Sequence, residues 1–430
     1  MLEAREVCSG ATARNGGHLN PPLYHDYSEL KEKHGKQAAK TIIRFRLQHL
    51  QEIRRIAEHE DVLKQSQCRE TEHIDVFTDA DVYARAKEKL AKWKADMPSE
   101  SDTFGFCDQE EAIKRYRLAD DTIGCIYGSG GAMHPYRLVT SLLALLLDRH
   151  SGHFCIATQT PCTDISGPTS SSHQYTVTTP RGSIKAPHVI HATNGWCSHL
   201  LPPLRAKIVP ARGTMSAQRP GTLLAQSTLS GLRSYVFYRG TAGYDYLTQL
   251  PNGEHELMFG GGFAQCYDDA DIPDIGLADD ATVPFSAACH LAGALPLYFG
   301  SANWGGESAP TGEQDARWGT GRTKAQWSGV LGISTDSLPW VGRLPEKVAG
   351  RPSPSAQGLK EGKRLAAPGE WIAAGYSGEG MVHAWMSGKA LAYMVLDREE
   401  EITEWFPDIL RVTEKRWKKA TVDDLISKFM

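Results

Sequence analysis

Apolar residues recur at helical spacing at Ile43, Leu47, Leu50, Ile53 and Ala57, which predicts one long amphipathic helix over 36–63. A denser apolar run predicts a buried helix over 138–147, and another helix is expected over 380–396. Strand-like segments lie at 154–160, 174–179, 189–192 and 208–209. Segments 244–250 and 256–260 flank Pro251-Asn252-Gly253, a strong hairpin signal. Stretches 166–173 and 346–369 read as surface loops. The segment 268–280 carries six aspartates and reads as a solvated acidic insertion rather than a metal site. Helices and strands mix throughout, so the class is α/β, or α+β overall. The hairpins mark an antiparallel region and the strand–helix alternation near both ends a parallel one.

Composition narrows this little. The 430 residues suggest two or three domains, and 47 Lys+Arg against 51 Asp+Glu exclude a dedicated nucleic-acid binder. No apolar run approaches the roughly 20 residues of a membrane helix, and no signal core follows Met1. The nine cysteines are scattered without a CxxC pair, so neither a disulfide framework nor a zinc site is expected. These negatives point to a cytoplasmic protein with no membrane partner.

The chemistry lies in glycine-bearing segments. Leu2-Glu3-Ala4-Arg5 ends a short apolar stretch in an acid, as dinucleotide folds do to hold a ribose. Arg14-Asn15-Gly16-Gly17-His18 follows, and its glycines would let backbone approach a flat ligand. Val189-Ile190-His191-Ala192-Thr193-Asn194-Gly195-Trp196 runs from strand to turn, and Gly260-Gly261-Gly262 follows a hairpin strand. Trp371-Ile372-Ala373-Ala374-Gly375-Tyr376-Ser377-Gly378-Glu379-Gly380-Met381 leads into a helix, an order that makes an anion site of the helix N-terminus.

Taken in order, these segments resemble the D-amino acid oxidase/sarcosine oxidase superfamily of FAD-dependent oxidoreductases. Ile208-Val209-Pro210-Ala211-Arg212-Gly213-Thr214-Met215 is similar to its Pro-x-Arg-Gly-Gln-Met strand, and 329–342 to its Asp-x-x-Pro-x-Gly stretch. The resemblance runs from Met1 to about Leu396 and is nearest to the amine-oxidising branch typified by gamma-glutamylputrescine oxidase. It implies a Rossmann-like FAD-binding domain (1–65, 130–200, 328–396), an antiparallel-sheet substrate domain (66–129, 201–327) and a C-terminal helical extension (397–430). It implies that Glu3 and Ala4 bind the adenosine ribose and that the Cys162 backbone pairs with adenine. Arg14, Asn15, Gly16 and Gly17 would run beside the pyrophosphate and ring. Ala192, Thr193, Asn194 and Gly195 would line the cofactor, and Gly375, Ser377, Gly378, Gly380 and Met381 would meet the flavin's pyrimidine edge. His18 and Tyr246 are the candidate catalytic residues facing the substrate. Arg212 reads as a fold brace rather than a carboxylate clamp, and His383 as structural. The sarcosine oxidases attach flavin through a cysteine near the C-terminal motif; none follows Cys289 here, so FAD is expected to be non-covalent. The implied reaction is oxidation of an amine or amino-acid C–N bond to an imine, with O2 or an electron carrier as acceptor.

One departure is large. The family's ribose acid follows a strand, a Gly-x-Gly-x-x-Gly turn and a helix, whereas here it is residue 3. On that reading a βα unit on the order of 30–40 residues is lacking, Gly128-Ser129-Gly130-Gly131 does not replace it, and weak FAD binding is expected. The alternative is a truncated, non-catalytic remnant acting as a binding module.

Overall fold

The computed structural model describes residues 1–169, 174–224, 230–240, 243–266, 274–307, 321–354 and 365–429. Its largest element is a mixed eight-stranded sheet in the order β12-β8-β11-β10-β9-β1-β3-β2. The strands are β1 (Arg69–Phe77), β2 (Gly105–Asp108), β3 (Gly124–Ala132), β8 (Ile208–Gln218), β9 (Arg233–Tyr238), β10 (Asp245–Gln249), β11 (Leu257–Gly261) and β12 (Thr323–Ser334). β4 (Asp164–Ser166), β5 (Tyr175–Thr179) and β6 (Gly182–Ala186) form a small antiparallel sheet. β7 (His188–His191), β13 (Trp340–Arg343) and β14 (Gly369–Ala374) form another, in the order β13-β14-β7, with β14 and β7 parallel.

Period-two alternation sorts the large sheet's two faces. Tyr235, Phe237, Leu247, Leu257 and Phe259 share one hydrophobic core with Leu291, Leu295 and Phe299 of the helix Phe285–Phe299. Asp245 belongs to that face too, accepting from Tyr298 and lying 2.6 Å from His290 Nε2. Val236, Tyr246, Gly260, Met215 and Trp327 fall in one cross-strand row on the other face. Gly260 is needed in that row: a Cβ there would lie 2.2 Å from Met215 Sδ and 2.5 Å from the Tyr246 ring. A second core joins the helices Leu23–His34, Lys36–His59 and Ala80–Asp96 to Trp371, Ala373 and the helix Ala384–Val395.

The hairpin at 244–250 and 256–260 is present as β10 and β11, paired antiparallel. Other expectations need correction. The helix expected over 36–63 stops at His59, and Leu63–Ser66 is a separate turn. The helix Pro135–Arg149 buries only Pro135 and Leu138, while Leu146 and Leu147 are exposed, so it is not the buried helix expected. No strand spans 154–160; Ala157 makes a single parallel bridge to Leu2. The 380–396 helix opens as a 3-10 turn, Gly380–Val382, before Ala384–Val395. Strand 208–209 is the start of the much longer β8. Gly128, Gly130 and Gly131 lie inside antiparallel β3, not in a strand-to-helix turn. Within 346–369 the short helix Glu346–Ala349 forms, and 355–364, like 170–173 and 267–273, lies outside the described residues. Asp274 is buried against Arg212, and Asp280 pairs with Arg5, so the described part of the acidic segment is not simply solvated. Among the described residues no His/Cys/Asp/Glu group could hold a metal, and no helix is long and apolar enough to cross a membrane.

Candidate active site

The Arg14–His18 loop lies over the Val236–Trp327 row. Trp327 Nε1 donates to the Arg14 carbonyl at 2.9 Å, and Thr248 Oγ1 to the Gly16 carbonyl at 2.5 Å. Asn15 ties the loop to itself, donating to Ala11 O at 3.0 Å while its Oδ1 accepts from Gly17 N at 2.8 Å. These ties bring the two candidate catalytic residues together: the His18 ring meets Tyr246 edge-on, 5.2 Å between centroids.

His18 has a defined tautomer. Its Nδ1 lies 3.4 Å from the Asn20 amide nitrogen, a donor, and 3.1 Å from Ser234 Oγ. Nδ1 therefore accepts and the ring proton sits on Nε2. Nε2 is buried and has no partner among the described residues. Burial holds the imidazole down at about 3, with His73 and Arg69 pushing the same way, so at neutral pH it is an uncharged donor. Burial, then the Asp245 and Glu379 charges, pushes the Tyr246 hydroxyl up to about 12, so it also keeps its proton.

The His18 value sets a pH dependence. A folded value near 3 against the ordinary 6.5 means the unfolded chain takes up a proton that the folded chain refuses. Stability should therefore fall as pH drops from 6.5 toward 3, and His18→Gln should flatten that slope by up to one proton in urea titrations.

The other half of the site is built at the ends of two parallel strands. β7 and β14 are hydrogen-bonded neighbours, so the turns that follow them leave the sheet at the same end, where open α/β sheets hold ligands. Asn194, in the left-handed region, reaches from the first turn into the second: its Oδ1 accepts from Gly375 N at 2.9 Å and Tyr376 N at 3.4 Å. Ser377 N donates to Gly332 O at 2.7 Å, and Ser377 Oγ accepts from Ser334 N at 3.1 Å. The N–H groups of Gly378, Gly380 and Met381 have no protein partner among the described residues. Glu379 sits among them, and burial raises its carboxyl to about 7 against the opposing Arg46 charge.

At the far end, Glu3 N donates to Ala157 O and Glu3 O accepts from Thr160 N, both at 2.9 Å. Leu2, Cys162 and Val189 pack on the same apolar cluster, so Glu3 and Cys162 are neighbours, with Ala4 exposed beside them. Ala192 and Thr193 are exposed, and Gly195 is buried against Leu331. Arg14 is spoken for: it donates to the carbonyls of Ser9, Asp280 and Ser328 at 2.7–2.8 Å, a brace between loops. Arg212 is another, bound to Asp274 Oδ1 at 2.7 Å and Thr282 Oγ1 at 2.9 Å. His383 is buried, donating to Glu379 O and accepting from Arg46 Nε. Glu379, Tyr244 and Tyr238 were not selected from the sequence; only the motif position of Glu379 between two glycines signalled it.

The sequence model of the family described as FAD dependent oxidoreductase matches residues 1–394. The chain belongs to that family. Its cofactor is FAD. No curated relative matches the chain. Many solved structures share the fold. Glycine oxidase from Geobacillus kaustophilus is 17% identical, with TM-score 0.64 over 96% of this chain and 91% of that one. L-proline dehydrogenase from P. horikoshii is 16% identical, with TM-score 0.62 over 94% and 89%. FAD-bound L-alpha-glycerophosphate oxidase from Mycoplasma pneumoniae is 13% identical, with TM-score 0.57 over 92% and 87%. The residues present fit a flavin: the orphaned His18 Nε2 and the unpartnered N–H groups of Gly378, Gly380 and Met381 are the donors an electron-rich ring edge needs.

Proposed function

We propose that this flavoenzyme oxidises the C–N bond of a small amine or amino acid, as in the branch typified by gamma-glutamylputrescine oxidase, with FAD held non-covalently. The observation that carries this is the edge-on packing of His18 on Tyr246 with His18 Nε2 unpartnered, together with the unpartnered N–H groups of Gly378, Gly380 and Met381. Bound there, the flavin would take the hydride from the carbon beside the nitrogen, leaving an imine that water hydrolyses.

The protein's part is orientation and charge. Glu3, through the carboxylate oxygen not taken by Arg5 N, and the Cys162 backbone would hold the adenosine end. Gly16 and Gly17 would let the ring pass over the loop, and His18 Nε2–H and the N–H groups of Gly378, Gly380 and Met381 would face the end where negative charge gathers on reduction. Ala192, Thr193, Asn194 and Gly195 would line the middle, Asn194 by fixing the Gly375–Ser377 turn. In domain terms, 66–129 and 201–327 build the substrate sheet, 1–65, 130–200 and 328–396 the cofactor side, and 397–430 an extension. The acceptor is O2 or an electron carrier, and peroxide release during turnover separates the two.

Removing one preorganised donor typically costs about 100-fold or more in rate. His18→Ala in the FAD-loaded protein should therefore slow flavin reduction by amine about 100-fold in rapid mixing. An unchanged rate would remove His18 from the site.

A further inference from the structure

Glu379 has a committed backbone and an uncommitted side chain. Its N–H donates to Tyr376 O at 2.8 Å, and its carbonyl accepts from Val382 N and His383 Nδ1 at 3.1 and 3.0 Å. Its carboxylate makes no hydrogen bond or ion pair among the described residues. The groups that face it are Arg46 from Lys36–His59, Asp26 from Leu23–His34, Tyr238 from β9, and Tyr244 and Tyr246 from β10. Arg46 opposes the rise of this carboxyl but makes no ion pair with it: its Nη1 donates to Asp26 at 2.8 Å and Pro22 O at 3.2 Å, its Nε to His383 at 3.2 Å.

The tyrosines whose hydroxyls feel this carboxylate form a wall of rings. Tyr238 and Tyr244 lie 5.7 Å apart, Tyr244 and Tyr246 6.4 Å, and Tyr246 reaches His18. Tyr244 keeps 48% of its surface exposed, so the wall opens to solvent. An unpaired carboxylate beside aromatic faces is the surrounding a cation seeks. Arg14, Arg212 and Arg69, among the described residues, are each bound to protein oxygens and so are not free to clamp a substrate carboxylate.

We propose that Glu379 binds the substrate's ammonium group and takes its proton, so that the cleft selects a cationic amine and needs no carboxylate on it. This rests on the amine reading above. One N–H bond of the ammonium breaks, the nitrogen keeps the electron pair, and the carboxylate becomes the acid, which returns the proton to water. The amine then has the free pair that loss of hydride from its carbon requires. A carboxyl poised near 7 can both accept and release that proton.

Tetramethylammonium, a cation with no proton to give, isolates the binding step. Measured by calorimetry on the full chain, its affinity should weaken about tenfold per pH unit below about 7 and level off above it. Glu379→Gln should weaken binding at least ~10-fold at pH 8 and abolish the pH dependence, and Glu379→Asp should restore it. Should Glu379→Gln fail to fold, Tyr244→Leu serves instead: it should weaken the probe about fivefold with the pH profile kept, the usual worth of one cation–ring contact. Equal binding by wild type and Glu379→Gln, a pH-independent wild type, or a Tyr244→Leu variant with undiminished affinity would overturn the proposal. Intact probe binding without amine-driven flavin reduction would instead sink only the oxidation reading.

Discussion

Gly17→Ala should cost about 3 kcal/mol of stability and loosen the loop that carries His18. Gly17 has φ +76°, a left-handed conformation that disfavours any Cβ, and an added Cβ would lie 2.1 Å from the Met133 carbonyl oxygen. That oxygen is backbone, and the segment is fixed by Met133 N donating to Gly17 O at 2.9 Å, so it cannot swing aside as a flexible side chain would. The clash therefore falls on the loop, and His18 is the next residue. Urea unfolding should show a lower midpoint with an unchanged slope. Gly152→Ala, where a Cβ would meet nothing within 4 Å, should stay within about 0.5 kcal/mol and serves as the control.

Arg351→Met should cost about 3–5 kcal/mol. Arg351 Nε donates to Glu370 Oε1 at 2.6 Å, and its Nη atoms donate to Ile165 O and Leu200 O at 2.6 and 2.7 Å. Glu370 is 1% exposed on β14, and its other oxygen lies 2.7 Å from buried His191 Nε2 on β7. Removing the guanidinium leaves that carboxylate buried beside one imidazole, and it also cuts the tie between the small sheets. Adding Glu370→Gln should recover a good part of the loss, because the penalty lies in the unpaired charge more than in the missing contact. Thermal or denaturant unfolding of the single and double variants checks this, and a single variant within 1 kcal/mol of wild type would contradict it.

The sequence made legible what depends on short-range pattern. The β10–β11 hairpin follows from Pro251-Asn252-Gly253 and alternation, and the glycine segments mark the two turns after β7 and β14. Alternation also carries Tyr246 to the face opposite Leu247, which is why it meets His18. What was not legible depends on partners distant in the chain. Asp274 looked solvated until β8 placed Arg212 against it. Leu146 and Leu147 looked buried because apolar residues usually are, yet each keeps 40% of its surface exposed. Ala157 carries only one bridge, to Leu2, closed by its bonds to Met1 O and Glu3 N, so no ladder forms. Glu379 escaped because a carboxylate between glycines in a turn ordinarily faces water. Its burial, which raises the carboxyl, comes from segments distant in the chain.

On the proposed reading, His18, Tyr246 and Glu379 present an amine to FAD. Anaerobic mixing of the FAD-loaded chain with a panel of primary amines, secondary amines and amino acids tests it most directly. The oxidised flavin's visible absorption should bleach with at least one C–N substrate, and His18→Ala should slow the bleaching. A stable, correctly folded holoprotein whose flavin is reduced by none of them, or only by an alcohol such as glycerophosphate, would contradict it.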